Sequence, residues 1–252
     1  MLAGLMMLAS ITAVTPQQGP LRYKIDLKTT QEVDLSAMGG PKQASDMTAS
    51  AWVTVTMSDT AGGKLAHIVV DSLAATPTGM MAQQMTEESI AEAKGAFFHV
   101  YVVNGKVSGT PKPSIENPAL GMVQQSLSLL FPGHKMGAKI GDTWSDTTKS
   151  DATTDAGTQT GTSVTEWKVL SMDGDGYVMS GESKGTMNAT QGGGDLNIAT
   201  KMTGSQKVTT SAVGPSKMGE TNMQIDATVI TSQVPDPIPV TGTTMVMITM
   251  LP

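Results

Sequence analysis

Asn117–Gly133, NPALGMVQQSLSLLFPG, is the one long stretch beyond the amino terminus in which apolar residues recur at helical rather than alternating spacing. Asn117 suits an N-cap, Pro118 the first helical position, and Pro132-Gly133 a stop, so the segment predicts a helix over 117–131. Advancing about 100° per residue, Ala119, Leu120, Val123, Leu127, Leu130 and Phe131 fall within an arc of about 120°, which Met122 and Leu129 widen to roughly 200°. An ordinary surface helix needs a stripe of about half that width. This helix is therefore expected to touch protein or ligand on more than one side, as one laid across a concave sheet would; simple coverage of a flat sheet face is the alternative.

Outward from the helix the pattern changes to period two. RYKIDLKTTQEVDL, MTASAWVTVTM and KLAHIVVDSL alternate or run apolar with β-branched enrichment, separated by Gly, Pro or Asp. GAFFHVYVV, NGK and VSGTPKP read as a hairpin, because Asn104-Gly105 supplies the positive φ of a tight turn. About five strands thus precede the helix. After it, KIGDTWSDTT opens a second β region, and WKVLSM, DGDG and YVMSGESKGTMNAT form another hairpin around Asp173–Gly176. DLNIATKMTGSQKVTT, TNMQIDATVITSQV and TTMVMITM bring the total to about eleven. QGGGD at 191–195 and PDPIPVTG at 235–242 read as long loops or corners, and Thr86-Glu87-Glu88 opens either a short helix reaching Lys94 or a loop.

The expected architecture is mainly β: about eleven antiparallel strands in a strongly curved sheet or half-barrel, with the central 117–131 helix on its concave face. Residues 19–252 are expected to form a single β-rich domain whose halves, 21–113 and 139–252, are joined by that helix. Residues 1–18 begin with MLAGLMMLASITAV, an apolar run of signal-peptide length followed by polar TPQQGP, and too short to span a bilayer comfortably. A periplasmic or secreted location follows as the expectation, although no Lys or Arg stands near Met1 and a buried amino-terminal segment is the other reading.

Composition narrows the chemistry. The net charge of -6 and a single arginine, Arg22, leave no basic stripe for phosphate backbones, so nucleic acid is not an expected partner. The chain has no cysteine, which removes disulfides, thiolate catalysis and Cys-ligated metals. Among the three histidines, His67 and His99 sit in predicted strands, and His99 shares a face with Phe97 and Tyr101. No GxSxG, HExxH or glycine-rich phosphate loop is present, so no catalytic residue is assigned. Asp173 and Asp175 lack the further acidic ligands of a calcium loop and belong to a turn. Twenty methionines are the outlier. Core filling, lining for varied apolar ligands and Cu(I) binding are three uses of such soft side chains, but Met245 and Met247 face one way in a strand and Met250 the other.

The strand order, the NGK hairpin, the proline-terminated helix and then Lys139-Ile140-Gly141-Asp142-Thr143-Trp144 opening a second β half resemble uncharacterised, exported, β-rich bacterial proteins. The layout is also similar to the lipoprotein-carrier half-barrel fold, which implies antiparallel strands curled around helices and a concave face that holds acyl chains.

The functional expectation is a non-enzymatic extracytoplasmic protein that binds an apolar ligand, a lipid or a lipidated partner, without cofactor or metal. The lining residues are expected to be Met122, Val123, Leu127, Leu130 and Phe131, with Phe97, His99 and Tyr101 on a nearby strand. A structural or interaction module of an envelope assembly is the first alternative, and a metal-binding protein or hydrolase the second.

Overall fold

The computed structural model describes residues 19–252 except 134, 136, 155–156, 192–194 and 212–213. The signal-like segment 1–18, His134 and the three glycines of QGGGD lie outside the described residues.

Eleven strands form one antiparallel sheet. They are β1 (Leu21–Asp34), β2 (Lys42–Thr60), β3 (Gly63–Pro77), β4 (Phe97–Val103), β5 (Lys106–Pro113), β6 (Thr143–Thr154), β7 (Gly157–Asp173), β8 (Gly176–Gln191), β9 (Leu196–Thr209), β10 (Met218–Thr231) and β11 (Val234–Leu251). Their spatial order is β5-β4-β3-β2-β1-β11-β10-β9-β8-β7-β6. Each half is a meander in which sequence neighbours pair, and the halves join where β1 runs beside β11 from Arg22↔Leu251 to Val33↔Val240. The two edges, β5 and β6, come together across a seam that the Lys106–Asp146 ion pair bridges, so the sheet is a nearly closed barrel.

The helix occupies the inside, as expected. A 3-10 turn (Pro118–Leu120) leads into α3 (Gly121–Leu130), and the Asn117 side chain accepts from the Ala119 N–H at 2.8 Å while its amide donates to the Ser89 carbonyl at 2.8 Å. Ser89 belongs to α2 (Glu87–Glu92), capped by Thr86 and carrying Glu87 and Glu88 in its first turn; α1 (Met81–Gln84) precedes it. At the other end of α3 the Ser216 N–H donates to the Leu130 carbonyl at 2.8 Å and the Gly133 N–H to the Gly105 carbonyl at 2.9 Å. The helix is thus fastened to both halves of the sheet.

Alternation decides what the helix meets. Across β2, β1, β11, β10, β9 and β8, the paired residues Ala51, Ile25, Ile248, Gly219, Val208 and Met179 all point inward and are buried. A Cβ on Gly219 would lie 3.3 Å from Leu129 Cβ and 3.1 Å from Ile248, so a side chain here would push against the helix. The Trp167 ring covers Gly181 in the same way: a Cβ there would come within 2.9 Å of the indole. Outward positions on β1 and β10 are largely polar, with Lys24, Asp26 and Lys28 on β1 and Glu220, Asn222 and Gln224 on β10, whereas β11 turns Met245 and Met247 outward.

One loop expectation is corrected. Residues 235–242 are part of β11, and Pro239 pairs with Thr228 of β10. Prolines are tolerated here because β1 pairs with β11 only as far as Val240. Pro235, Pro237 and Pro239 lie beyond that overlap, where an absent N–H leaves no ladder bond unmade. The two hairpin turns are as read, with Asn104 (φ 51°) and Gly105 (φ 72°) in the first and Asp173 opposite Gly176 in the second. The KIGDTW motif is a docking turn: the Asp142 carboxylate accepts from the Lys139 N–H, and Gly141 N–H and Asp142 carbonyl both bond Val169 of β7.

Candidate functional site

The helix arc that is too wide for one contact is taken up chiefly by protein. Met122, Val123 and Leu130 are 0–2% exposed and belong to a continuous core with Tyr23, Val53, Ile68, Phe98 and Ile248. Ser126 also lies within the buried arc, where its hydroxyl is satisfied by donating to the Val123 carbonyl at 2.7 Å. Gln124, Gln125 and Ser128 are exposed on the remaining side. At this end the concavity is a filled core.

Open space begins where the helix reaches the seam. Between β5 and β6 lies a cleft of 290 Å³, with α3 as one wall. Its apolar lining comes from Leu127 and Phe131 of the helix, Val107 and Pro111 of β5, Pro132 and Trp167. Lys106 and Asp146 line it as an ion pair, and Thr165 and Gln206 are also in its lining. Gln206 donates to Ser183 Oγ at 2.7 Å, and Thr165 shares a 2.8 Å hydrogen bond with the same hydroxyl. Ser183 Oγ thus satisfies both groups; Leu127, Phe131 and Trp167 are 2–3% exposed, so the cleft touches only the margin of the buried apolar arc, and Gln124, Ser128 and Lys149 are exposed at its rim.

All five helix residues expected to line a site are core, each 0–2% exposed; of them Leu127 and Phe131 also border this cleft. The expected positions of Phe97, His99 and Tyr101 are corrected. They project from the outer face of β4, and Phe98, Val100 and Val102 are the inward residues. The physical reason is register: in FFHVYVV both faces of the strand are apolar or aromatic, so period two alone does not say which set is inside. His99 pairs directly with His67 of β3, and the two rings and Phe97 form an outer cluster with centroids 4.9–5.1 Å apart.

Lys106, Val107, Pro111, Asp146 and Trp167 are cleft residues that sequence reading did not gather. Their only signal was local: Pro111 and Pro113 mark β5 as an edge, and Lys149 and Asp151 on β6 are charges of the kind that blunt edges. That the two edges face each other is a product of sheet closure. Methionines are divided among roles: Met57, Met85, Met122 and Met179 fill the core, Met250 packs against it, and Met245 and Met247 are exposed on the outer face. No group of three or more His, Asp or Glu side chains is gathered for a metal ion among the described residues. No described helix is long and apolar enough to cross a membrane.

No known protein family matches the chain, and no curated protein matches it. Among solved structures, the crystal structure of Pseudomonas aeruginosa OpdQ aligns over 93% of this chain and 99% of that chain, at 7% identity and a TM-score of 0.25. A likeness at that score carries no argument; the fold rests on the strand pairing described above.

Proposed function

We propose that this is a non-enzymatic, extracytoplasmic protein that takes up an apolar group, as a free ligand, a lipid or the acyl chain of a lipidated partner, in the seam cleft between β5 and β6. The observation that supports it is that the seam cleft borders the helix's apolar arc at Leu127 and Phe131, which are otherwise packed in the core with Met122 and Leu130. The charged and amide outward positions of β1 and β10 suit a surface in water, since a barrel facing lipid turns an apolar band outward.

Magnitude favours a chain presented by a partner. The cleft is at the small end of ligand pockets, which span about 300–1,000 Å³. Covering about 150 Å² of apolar surface contributes about 4 kcal/mol before the cost of association. A lone chain would be held weakly. A lipidated protein adds contacts beside the cleft, where β6 offers twelve residues of unpaired edge. That edge is also what favours the second reading, a structural module whose partner adds a strand to β6.

The test is extraction and mass spectrometry of lipid from the purified protein, repeated on Ser128→Trp, which fills the cleft from an exposed helix position. Apolar molecules in the parent and their loss in the variant are expected. A stable protein complex with no co-purifying lipid, unchanged by Ser128→Trp, would favour the strand-addition reading instead.

A further inference from the structure

We infer that His67 and His99 form a two-histidine site for a divalent transition-metal ion of the Ni(II), Cu(II) or Zn(II) class on the outer face of the sheet. The residues are direct cross-strand partners on β3 and β4, with ring centroids 4.9 Å apart and planes inclined by 42°. Metal–imidazole bonds of about 2.0–2.1 Å at adjacent corners of an ion place the two ring centroids about 4.5–5.2 Å apart. The observed separation falls inside that window before any backbone movement. Rotation about χ2, which is soft for histidine, turns the ring nitrogens without backbone movement.

The surroundings define the approach and the ligand state. Phe97 packs 5.0 Å from His67 and 5.1 Å from His99, closing one side of the pair, and His99 is exposed on the other. His67 Nδ1 is shielded from solvent and has no hydrogen-bond partner among the described residues, so no neighbour fixes its tautomer. Burial first, and His99 second, hold His67 below the usual imidazole range. With two protein ligands, the remaining corners belong to water. Lys112 of β5 pairs with His99 and sets a positive charge beside the site, so replacing it with a carboxylate should tighten binding.

The experiment is thermal melting of untagged protein in chelator-free buffer with NiCl₂, each variant being compared with its own metal-free melting temperature. A rise of about 3–5 °C is expected at ten times the dissociation constant. His67→Gln and His99→Gln should each abolish the rise, and Lys112→Glu should bring it on at lower nickel. Electron paramagnetic resonance of the Cu(II) form should show two nitrogen ligands. No metal-dependent shift and no nitrogen couplings in the parent would overturn the site, as would a shift that survives both glutamine variants or vanishes only with His134→Gln.

Discussion

The two ends of the barrel interior carry the same alternating pattern and reach different outcomes. Toward the helix, inward positions such as Ile25, Val53, Ile68, Phe98 and Ile248 are fully buried. Toward the other end of β2, β8, β9 and β10, inward Met47, Met187, Met202, Met223 and Ile225 are only half-buried, although Met179, Val208 and Gly219 at the helix end of the last three are buried. Alternation settles which face of a strand turns inward. A covering element settles whether that face becomes a core, and α3 packs on β10 at Gly219, where Leu129 meets Ile248 of β11.

The largest effect should come from truncating the covered end. Leu130→Ala is expected to lower stability by about 3–4 kcal/mol, whereas Met202→Ala at the uncovered end should cost about 1 kcal/mol or less. Urea unfolding with unchanged slope measures both; equal losses would dissolve the distinction between the ends. Gly219→Val should cost about 1–3 kcal/mol by wedging the sheet off Leu129, and Leu129→Ala in the same chain should restore part of it. Asn117→Ala removes both the cap and the tie to Ser89, for an expected loss of about 1 kcal/mol by the same measurement.

The smallest effect sharpens the comparison from within the core. Tyr23 is wholly buried and its hydroxyl has no hydrogen-bond partner among the described residues; burial pushes its ionisation well above the ordinary tyrosine range. The unfolded chain can release this proton near pH 10 while the folded chain retains it. Stability from this group is thus present below about pH 10 and declines as pH rises further. Tyr23→Phe is expected to stabilise by up to about 1 kcal/mol at pH 7 and to flatten the alkaline decline measured by urea titration from pH 9 to 11.

How far residues announced these arrangements depended on range. Asn117, Pro118 and Pro132 mark the helix because caps act through neighbours one to three positions away, and Asn104-Gly105 marks its hairpin for the same reason. Strand number followed from alternation and turn residues. The prolines at 235–239 misled because a ladder bond is needed only where a neighbouring strand exists, and the end of β1 lies two hundred residues away in the chain. The side of β4 that turns inward was hidden by its two apolar faces. The seam cleft was least legible of all: Leu127 and Phe131 were singled out on the helix, but Lys106, Asp146 and Trp167 come together only when the edges of both meanders meet.

The pairing of β1 with β11 has a kinetic consequence. Within each half, hairpins can zip locally between adjacent strands, but Thr29 and Thr244, joined across this pair, are 215 residues apart. Closing so long a loop has an entropic cost that precedes any reward, and sheets dominated by such contacts fold slowly. Until that step is complete, strands of 14 and 18 residues stand as open edges on two preformed meanders. The moment of greatest exposure to aggregation in the life of this chain is therefore the interval before its first and last strands find each other.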